Sequence, residues 1–255
     1  MGFLTKKKTL RVIPLGGLLE IGKNITAFEY GDDIILVDCG MAFPEDDLLG
    51  IDSVIPDFTY LESNKDRIRG LVLTHGHEDH IGGIPYLLKN INIPIFGTKL
   101  TLGLVEHKLD EHDILSTASL NEVSPGDVIS FGAIRVEIIH TNHSIADSVA
   151  LAIFTPIGTI FHTGDFKIDY TPIDGEAIDL TRLATLGKNG ILLLMSDSTN
   201  VERNGFTMSE KTVGYSFEQA FSGASGRILL ATFASNIHRV QQVFDAAVRN
   251  RRNTK

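Results

Sequence analysis

Short runs of β-branched and other apolar residues recur along this chain, separated by glycine, aspartate and asparagine. These runs predict strands, and "YGDD" and "TPIGT" predict hairpin turns between some of them. The predicted strands are "TLRVIPLG", "ITAFEYGDDIILVDCG", "GLVLTH", "PIFGT", "GDVISFGAIRVEIIHT", "SVALAIFTPIGTIFHTGD" and "GILLLMSDST". Helical patterns interrupt them in "GGIPYLLKNI" and "TKLTLGLVEHKLDEH". This order predicts an α/β fold in which two sheets pack face to face with helices outside.

The pattern changes near Met208. Beyond it come a predicted helix in "SEKTVGYSFEQAFSGA", a predicted strand in "GRILLATFAS" and an amphipathic helix with a basic end in "NIHRVQQVFDAAVRNRR". We therefore expect one domain over residues 1–208 and the incomplete beginning of a second over residues 209–255. The chain is expected to be a fragment that stops inside this second domain.

Composition limits the class of protein. A formal net charge of -9 excludes a broadly basic surface, so a nucleic acid would have to be held by a local groove or by metal charge. The single cysteine, Cys39, rules out an intrachain disulfide and fits a reducing compartment. No segment resembles a signal peptide or approaches the roughly 18 apolar residues of a membrane span. These features predict a soluble, cytoplasmic protein with no membrane partner.

The motif "THGHEDH" places metal-binding side chains directly after a predicted strand. Residues two apart in an extended loop point the same way, so His75 and His77 are expected to share one ion. Asp79 and His80 then face a second ion. Imidazole and carboxylate together suit zinc. All four side chains are expected to project from a tight loop, with a helix starting soon after Gly82.

Two other strand ends offer further ligands. "EIIHTNHS" carries His140 and His143, and "IFHTGDF" carries His162 and Asp165. In each pair we expect one residue to bind metal and the other to support it. Asp165 is the favoured bridge between two cations, because Gly164 lets the backbone turn tightly toward them.

These motifs resemble those of a known family. HxHxDH at 75–80, "HTNHS" and "HTGDF" are similar to the motifs of the metallo-β-lactamase superfamily. "PLGGLLEIGKN", "HGHEDHIGG", "SDSTNVERNGFTMSE" and "ATFASNIHRVQQ" further resemble the bacterial ribonuclease J family of β-CASP nucleases. The resemblance implies a metallo-β-lactamase αββα sandwich followed by the truncated start of a β-CASP domain.

The resemblance also implies a ligand set and a cofactor. One zinc would be bound by three histidines, the other by an aspartate and a histidine, with one aspartate bridging: His75, His77 and His143; Asp79 and His80; Asp165. Two Zn²⁺ ions per subunit are implied, with Mn²⁺ or Mg²⁺ as alternatives. The family's last zinc-ligand histidine and its phosphate-gripping loop would lie beyond residue 255.

One block departs from the family. Leu19 stands where the family usually has glycine. If the loop needs a positive φ there, leucine is expected to strain it.

By the same resemblance the activity is RNA hydrolysis in RNA maturation and decay, as endonuclease and 5′-to-3′ exonuclease, favouring a 5′ monophosphate. The implied partners are RNA and a homo-oligomer or paralogue hetero-oligomer of the full-length protein. Asp79 and Asp197 are the candidate catalytic carboxylates. Asp197 would orient a metal histidine or donate a proton to the leaving oxygen; alternatively it caps the loop beside Ser198 and Thr199.

A strand-to-helix turn in "ATFASNIHRV" offers a second candidate site, for substrate. Its candidate residues are Phe233, Ser235, Asn236 and His238. Backbone N–H groups at the start of a helix bind phosphate well. Alternatively, Ser235 or Asn236 only caps the helix.

Three other functions remain open. They are a two-zinc hydrolase of thioesters or lactones, a DNA-processing β-CASP nuclease, and a weakly active RNA-binding scaffold subunit. The "DSTN" and "FASNIHR" blocks weigh against the first, and the complete upstream ligand set weighs against loss of metal in the last.

Overall fold

The computed structural model describes residues 8–45, 48–173, 175–232 and 236–254. The first of its two sheets has six strands in chain order. They are β1 (Leu10–Gly16), β2 (Ile25–Tyr30), β3 (Asp33–Val37), β4 (Ile68–Val72), β5 (Ile95–Gly97) and β6 (Leu120–Glu122). The first three pair antiparallel, and the predicted "YGDD" turn joins β2 to β3. From β3 onward the pairing is parallel.

The second sheet has five strands in the order β11-β10-β9-β8-β7. They are β7 (Val128–Phe131), β8 (Ile134–His140), β9 (Val149–Thr155), β10 (Gly158–His162) and β11 (Leu193–Met195). Strands β7 to β10 form an antiparallel meander, and β11 pairs parallel with β10. The predicted "TPIGT" turn joins β9 to β10.

Helices cover the outer faces of both sheets. On the first sheet lie α1 (Thr59–Glu62), α2 (Glu78–Ile81), α3 (Ile84–Asn90) and α4 (Lys99–Glu111), and on the second lies α5 (Leu180–Asn189). One apolar core lies between the sheets, with Phe28 and Ile35 on one side and Ile138 and Leu151 on the other. Each sheet also has one outer apolar core, which lies between the sheet and its helices. The predicted αββα sandwich is therefore confirmed.

The last two helices form a unit separate from the sandwich. Helices α6 (Glu210–Gly223) and α7 (Ile237–Arg249) pack on each other through a small core that contains Phe221, Ala246 and Ala247. Ser209 caps α6, since its side chain accepts a hydrogen bond from the Lys211 N–H. The domain boundary between residues 208 and 209 stays a prediction.

The strand predicted in "GRILLATFAS" is wrong over residues 226–232, which are irregular. Residues 233–235 lie outside the described chain. A strand needs a neighbour to satisfy its backbone hydrogen bonds, and neither sheet extends to this segment. Among the described residues, no helix has the length and apolar character needed to cross a membrane.

Candidate metal centre

The motif that follows β4 is part loop and part helix. His75 and His77 lie in the loop, whereas Asp79 and His80 lie on the single turn of α2. The expectation that all four side chains project from a loop is therefore wrong, whereas the helix expected soon after Gly82 is present as α3, which begins at Ile84. The turn forms because the N–H groups of His80 and Ile81 both bond to the His77 carbonyl, and acidic residues favour a helix start.

Three histidines from two loops converge as the sequence predicts. His77 Nδ1 lies 3.1 Å from His75 Nε2 and 3.1 Å from His143 Nε2. Zinc–nitrogen bonds of about 2.0–2.1 Å in a tetrahedron separate ligand nitrogens by roughly 3.3 Å. The spacing of these nitrogens therefore fits one tetrahedral divalent cation.

A second group adjoins the first. His75, His80 and Asp165 offer ligand atoms within 4.8 Å of one another. His80 Nε2 lies 3.4 Å from Asp165 Oδ1 and 3.5 Å from Asp79 Oδ2. Asp165 Oδ2 lies 3.7 Å from His143 Nε2, so this carboxylate faces both groups, as a bridge would. Which ion each residue binds stays a prediction.

The three-histidine group is suited to metal because its rings are neutral. Burial lowers the pKa of His75 well below its usual range and lowers the pKa of His77. Burial also lowers the pKa of His143 to about 4. A neutral imidazole keeps the lone pair that a metal needs.

The second group concentrates negative charge around His80. Burial alone would lower the pKa of His80, but Asp38, Asp165 and Asp79 raise it well above its usual range. Burial alone would raise the pKa of Asp79 and Asp165, but His80 lowers both. Positive charge at the centre stabilises these carboxylates. Either a proton on His80 or a divalent metal supplies that charge.

Asp38 and Thr74 orient the ligands from behind, a role that the sequence reasoning missed. The buried Asp38 carboxylate accepts hydrogen bonds from the Thr74 N–H and hydroxyl, each 2.8 Å, and from His80 Nδ1 at 2.8 Å. Thr74 Oγ1 in turn lies 3.0 Å from His75 Nδ1. This network assigns the Nδ1–H tautomer to both histidines and leaves each Nε2 facing the centre. An aspartate at the end of the "IILVD" strand was the available signal.

Asn24 is a second residue that the sequence reasoning missed. Its side-chain amide donates to the Asp79 carbonyl at 3.0 Å and to Asp79 Oδ2 at 3.3 Å, and it lies 3.2 Å from His80 Nε2. It ends the "PLGGLLEIGKN" block, whose loop lines the cleft above the metal residues. Leu19 in this loop has a φ of 59° and is fully exposed. The strained conformation expected of this leucine is confirmed.

Asp197 lines the same cleft as Asp79, His80 and Asp165. Its Oδ1 accepts the Thr199 N–H at 2.7 Å, and its own N–H donates to Thr163 Oγ1. One carboxylate oxygen thus caps the loop, so the capping and cleft roles coexist in this residue. Its catalytic role stays a prediction.

The two supporting histidines differ. His162 lines the cleft, and its Nδ1 accepts the Gly164 N–H at 3.1 Å, which stabilises the tight turn before Asp165. The left-handed φ of 57° at Gly164 agrees with the expected turn. His140 instead lies 3.1 Å from the Glu176 carbonyl and anchors a neighbouring loop.

Of the candidate substrate residues, Phe233 and Ser235 lie outside the described residues. Asn236 is buried and caps α7, because its Oδ1 accepts the Arg239 N–H at 3.1 Å. His238 lines a small cavity together with His143. Substrate binding by any of these residues stays a prediction.

Comparison with known proteins agrees with this geometry. The family model of the metallo-beta-lactamase superfamily matches residues 20–199, and that of the ribonuclease J beta-CASP domain matches residues 225–255. The chain therefore belongs to the metallo-β-lactamase superfamily, whose members bind divalent metal.

Within that superfamily, its relatives include ribonuclease J proteins. It is 50% identical over 250 residues to ribonuclease J of Synechocystis sp., covering 97% of this chain and 39% of that protein. It is 51% identical over 247 residues to ribonuclease J 1 of Streptococcus pyogenes serotype M3, covering 97% of this chain and 44% of that protein. The resemblance carried by the sequence blocks is confirmed, and the chain spans less than half the length of these relatives.

A solved structure supports the fold. A protein of unknown function from Enterococcus faecalis superimposes with a TM-score of 0.70 over 93% of this chain and 63% of that one, at 21% identity. At this identity the likeness establishes the αββα architecture alone.

Proposed function

We propose that this protein is a metal-dependent ribonuclease that hydrolyses RNA phosphodiesters with two zinc ions at the centre. Its activity would be endonucleolytic and 5′-to-3′ exonucleolytic, with preference for a 5′ monophosphate. The observation that carries the proposal is the convergence of three neutral histidines on a carboxylate-rich group that lines a cleft. The similarity to ribonuclease J proteins supports RNA as the substrate.

The chain's own residues would divide the work. His75, His77 and His143 would hold one ion through neutral imidazoles, and Asp79 and His80 would hold the other. Asp165 would keep the two cations together, since it faces both groups. Bound divalent cations supply charge that neutralises a phosphodiester and lowers the pKa of water.

Asp197 is the proposed acid for the leaving oxygen. Its Oδ1 is occupied by the Thr199 N–H, so a proton for transfer would sit on Oδ2. The loop that holds it is fixed to Thr163 at the end of β10, close to Asp165 in sequence. This anchoring would keep the carboxyl at a constant distance from the reacting phosphate.

RNA would enter along the cleft formed by the 16–24 loop and the 196–199 loop. Asn236 and His238, with Phe233 and Ser235, remain the proposed contacts for a terminal phosphate. We further propose a cytoplasmic location, and assembly as a homo-oligomer or with a paralogue.

The test is cleavage of a 5′-monophosphorylated RNA by the full-length protein, with metal content measured on the same sample. The same-sequence DNA, a 5′-hydroxyl RNA and a thioester serve as competing substrates. Cleavage of the RNA with about two zinc ions bound supports the proposal. Cleavage of DNA or thioester alone, or RNA binding without turnover, overturns it.

Asp197→Asn provides the matched test of the acid. The amide oxygen of the substituted side chain would still accept the Thr199 N–H, so the loop is expected to keep its shape. Loss of a general acid typically costs 10²- to 10⁴-fold in rate, and we expect kcat to fall about that much with metal content unchanged. Unchanged kcat would remove Asp197 from the mechanism.

A further inference from the structure

Helix α4 contacts the metal-binding segments at three points along its length. Near its middle, Leu104 approaches so closely that a Cβ on Gly76 would lie 2.5 Å from Leu104 Cδ1. Further along, Lys108 Nζ lies 2.6 Å from Glu78 Oε1 on α2. At its start, α4 contacts the loop that follows His143. The helix therefore packs on both segments that supply the three-histidine group.

The contact at the start of α4 is made by Asp147. Its Oδ2 accepts the Leu100 N–H at 3.1 Å, and its carbonyl accepts the Thr98 hydroxyl at 2.9 Å. Thr98 is the N-cap residue of α4 but makes no side-chain cap bond of its own. The helix thus takes its cap from a residue far along the chain, where a carboxylate also interacts favourably with the helix dipole.

The backbone at Asp147 is specialised for this contact. Its φ is 60°, in the left-handed region that aspartate and asparagine tolerate better than most residues. The turn that begins at His143 is closed beside it, since Ser148 Oγ donates to the Ile145 carbonyl and Ile145 is buried. The Ile145 side chain also faces Gly76, with its Cδ1 3.5 Å from the place of a Cβ there.

We propose that Asp147 is a positioning residue for metal binding, which holds the His143 loop in register with His75 and His77 by capping α4. The inference rests on the proposed metal assignment of these histidines. The ends of the loop have other anchors, because Lys167 N bonds to the Asn142 carbonyl and Val149 N to the Thr74 carbonyl. Loss of the cap therefore loosens the position of His143 while the sheets stay intact.

The test compares Asp147→Gly with Asp147→Asn. Glycine keeps the left-handed φ but removes the carboxylate, whereas asparagine keeps an acceptor and is as good a cap as aspartate. Zn²⁺ affinity is measured by competition with a chelator, and the visible absorption of the Co²⁺-loaded protein reports the coordination geometry. We expect Asp147→Gly to weaken metal binding roughly 10- to 100-fold, as loss of a residue supporting a ligand does. Asp147→Asn should restore wild-type affinity and spectrum.

Asp57→Gly is the matched control, since the Asp57 carboxylate also accepts a backbone N–H beside a helix start, that of Thr59. It should lower the melting temperature of the metal-free protein without changing metal affinity. Thr98→Val, a milder variant, removes the hydroxyl bonds to Asp147 and to Thr101 but leaves the carboxylate cap, so it should weaken affinity less than Asp147→Gly. Equal Zn²⁺ affinity in wild type and Asp147→Gly overturns the inference alone. A wild type that binds no metal overturns the proposed function as well.

Discussion

At the residue scale, the backbone of Leu19 is strained, and burial of its side chain does not offset this strain. A left-handed φ costs a non-glycine residue about 1–2 kcal/mol, and the fully exposed Leu19 side chain gains no burial in return. Glycine removes that strain but loses about 0.5–1 kcal/mol of backbone entropy. We therefore expect Leu19→Gly to stabilise the protein by about 0.5–1 kcal/mol, raising the melting temperature by roughly 1–4 °C. Calorimetry of the metal-free protein measures this shift.

Leu18→Gly is the control for that change. Leu18 is exposed in the same loop but has no left-handed φ, so glycine there brings only the entropy cost. A similar gain in both variants would mean that removal of exposed apolar surface, and not backbone strain, is responsible.

Asp38 is expected to stabilise the protein through its buried carboxylate. Its Oδ2 accepts hydrogen bonds from two donors, Thr74 Oγ1 and His80 Nδ1. In Asp38→Asn an amide nitrogen at that position would face two donors, and the left-handed φ of 58° would still be tolerated. Breaking a buried charge pair costs about 3–5 kcal/mol, so we expect a loss of that size in the free energy of unfolding. Urea denaturation of the metal-free protein measures it.

Asp33→Asn is the comparison for Asp38. Asp33 pairs with Arg69, whose side chain is partly exposed, and asparagine can keep the bond from the Ala133 N–H. Loss of the ion pair should therefore lower the free energy of unfolding by only about 1 kcal/mol or less. Equal losses in the two variants would show that burial of Asp38 does not set its importance.

The residues of the site could be predicted from the sequence where their side chains are typical metal ligands. Histidines and aspartates at metal spacing are rare in loops without a reason, so the "HGHEDH" motif, His143 and Asp165 were visible in the sequence. Asn24 and Thr74 were not, because single polar residues beside strands look alike until the fold places them, and Asp38 had only its position at a strand end as a signal.

At the scale of elements, Glu29 joins β2 to the helical segment before β4. Its carboxylate accepts from Tyr60 Oη at 2.5 Å and from Arg67 at 2.8 Å. Burial alone would raise the pKa of Glu29, but Tyr60 and Arg67 lower it. Burial, together with the Glu29 carboxylate, raises the pKa of Tyr60 to about 12. The folded pKa of Glu29 lies below the unfolded value of about 4.3, so its stabilisation is present above that pH. It is lost as the pH falls through the folded pKa.

Glu29→Gln tests this sign. We expect it to destabilise the protein at pH 7 by about 1.5–3 kcal/mol, the range for hydrogen bonds to a charged group. The difference from wild type should shrink below pH ~4, as the wild-type carboxylate becomes protonated. Urea denaturation between pH 7 and pH 3 checks it, with the exposed Glu106→Gln on α4 as control. A difference that stays constant with pH would show that packing, not charge, holds these elements together.

Most elements with a strong pattern were predicted, but the amphipathic α5 was missed. The apolar and β-branched runs of β1, β8 and β9 and the amphipathic α7 were clear from sequence. The three-residue β6 was missed because its strand character comes from pairing with β5. The "GRILLATFAS" run failed for the opposite reason, since apolar residues predict a strand only where a sheet accepts it.

At the scale of the whole molecule, the sandwich and the α6–α7 unit have separate cores and meet at a cluster of charges. Glu210, on the first turn of α6, accepts from Lys167 Nζ at 3.0 Å and from Arg239 at 3.0 Å. Lys167 belongs to the sandwich, two residues after Asp165, and Arg239 belongs to α7. Ser209 adds a bond to the Thr171 carbonyl at 2.9 Å. Glu210 is thus the shared partner of cations from both units.

Glu210→Gln should loosen this junction without unfolding either unit. Arg239 would lose its charged partner, and Lys167 would keep only its longer contact with Asp169 at 3.8 Å. A loss of about one to two kcal/mol changes an opening equilibrium about 5- to 30-fold. The exposed segment 198–208 would then open more often, and trypsin should cut after Arg203 faster by a similar factor. Mass spectrometry of timed digests measures the rate at that bond.

Glu218→Gln separates the junction from α6 itself. Glu218 lies on the same helix, and its pair with Arg249 on α7 is largely exposed and contained within the helical unit. It should leave cleavage after Arg203 unchanged, because exposed pairs contribute little. If both variants speed cleavage equally, the helices and not the junction control the opening. If neither variant speeds cleavage, apolar contacts hold the units together. The charges around Glu210 then affect only the orientation of α6 relative to the sandwich.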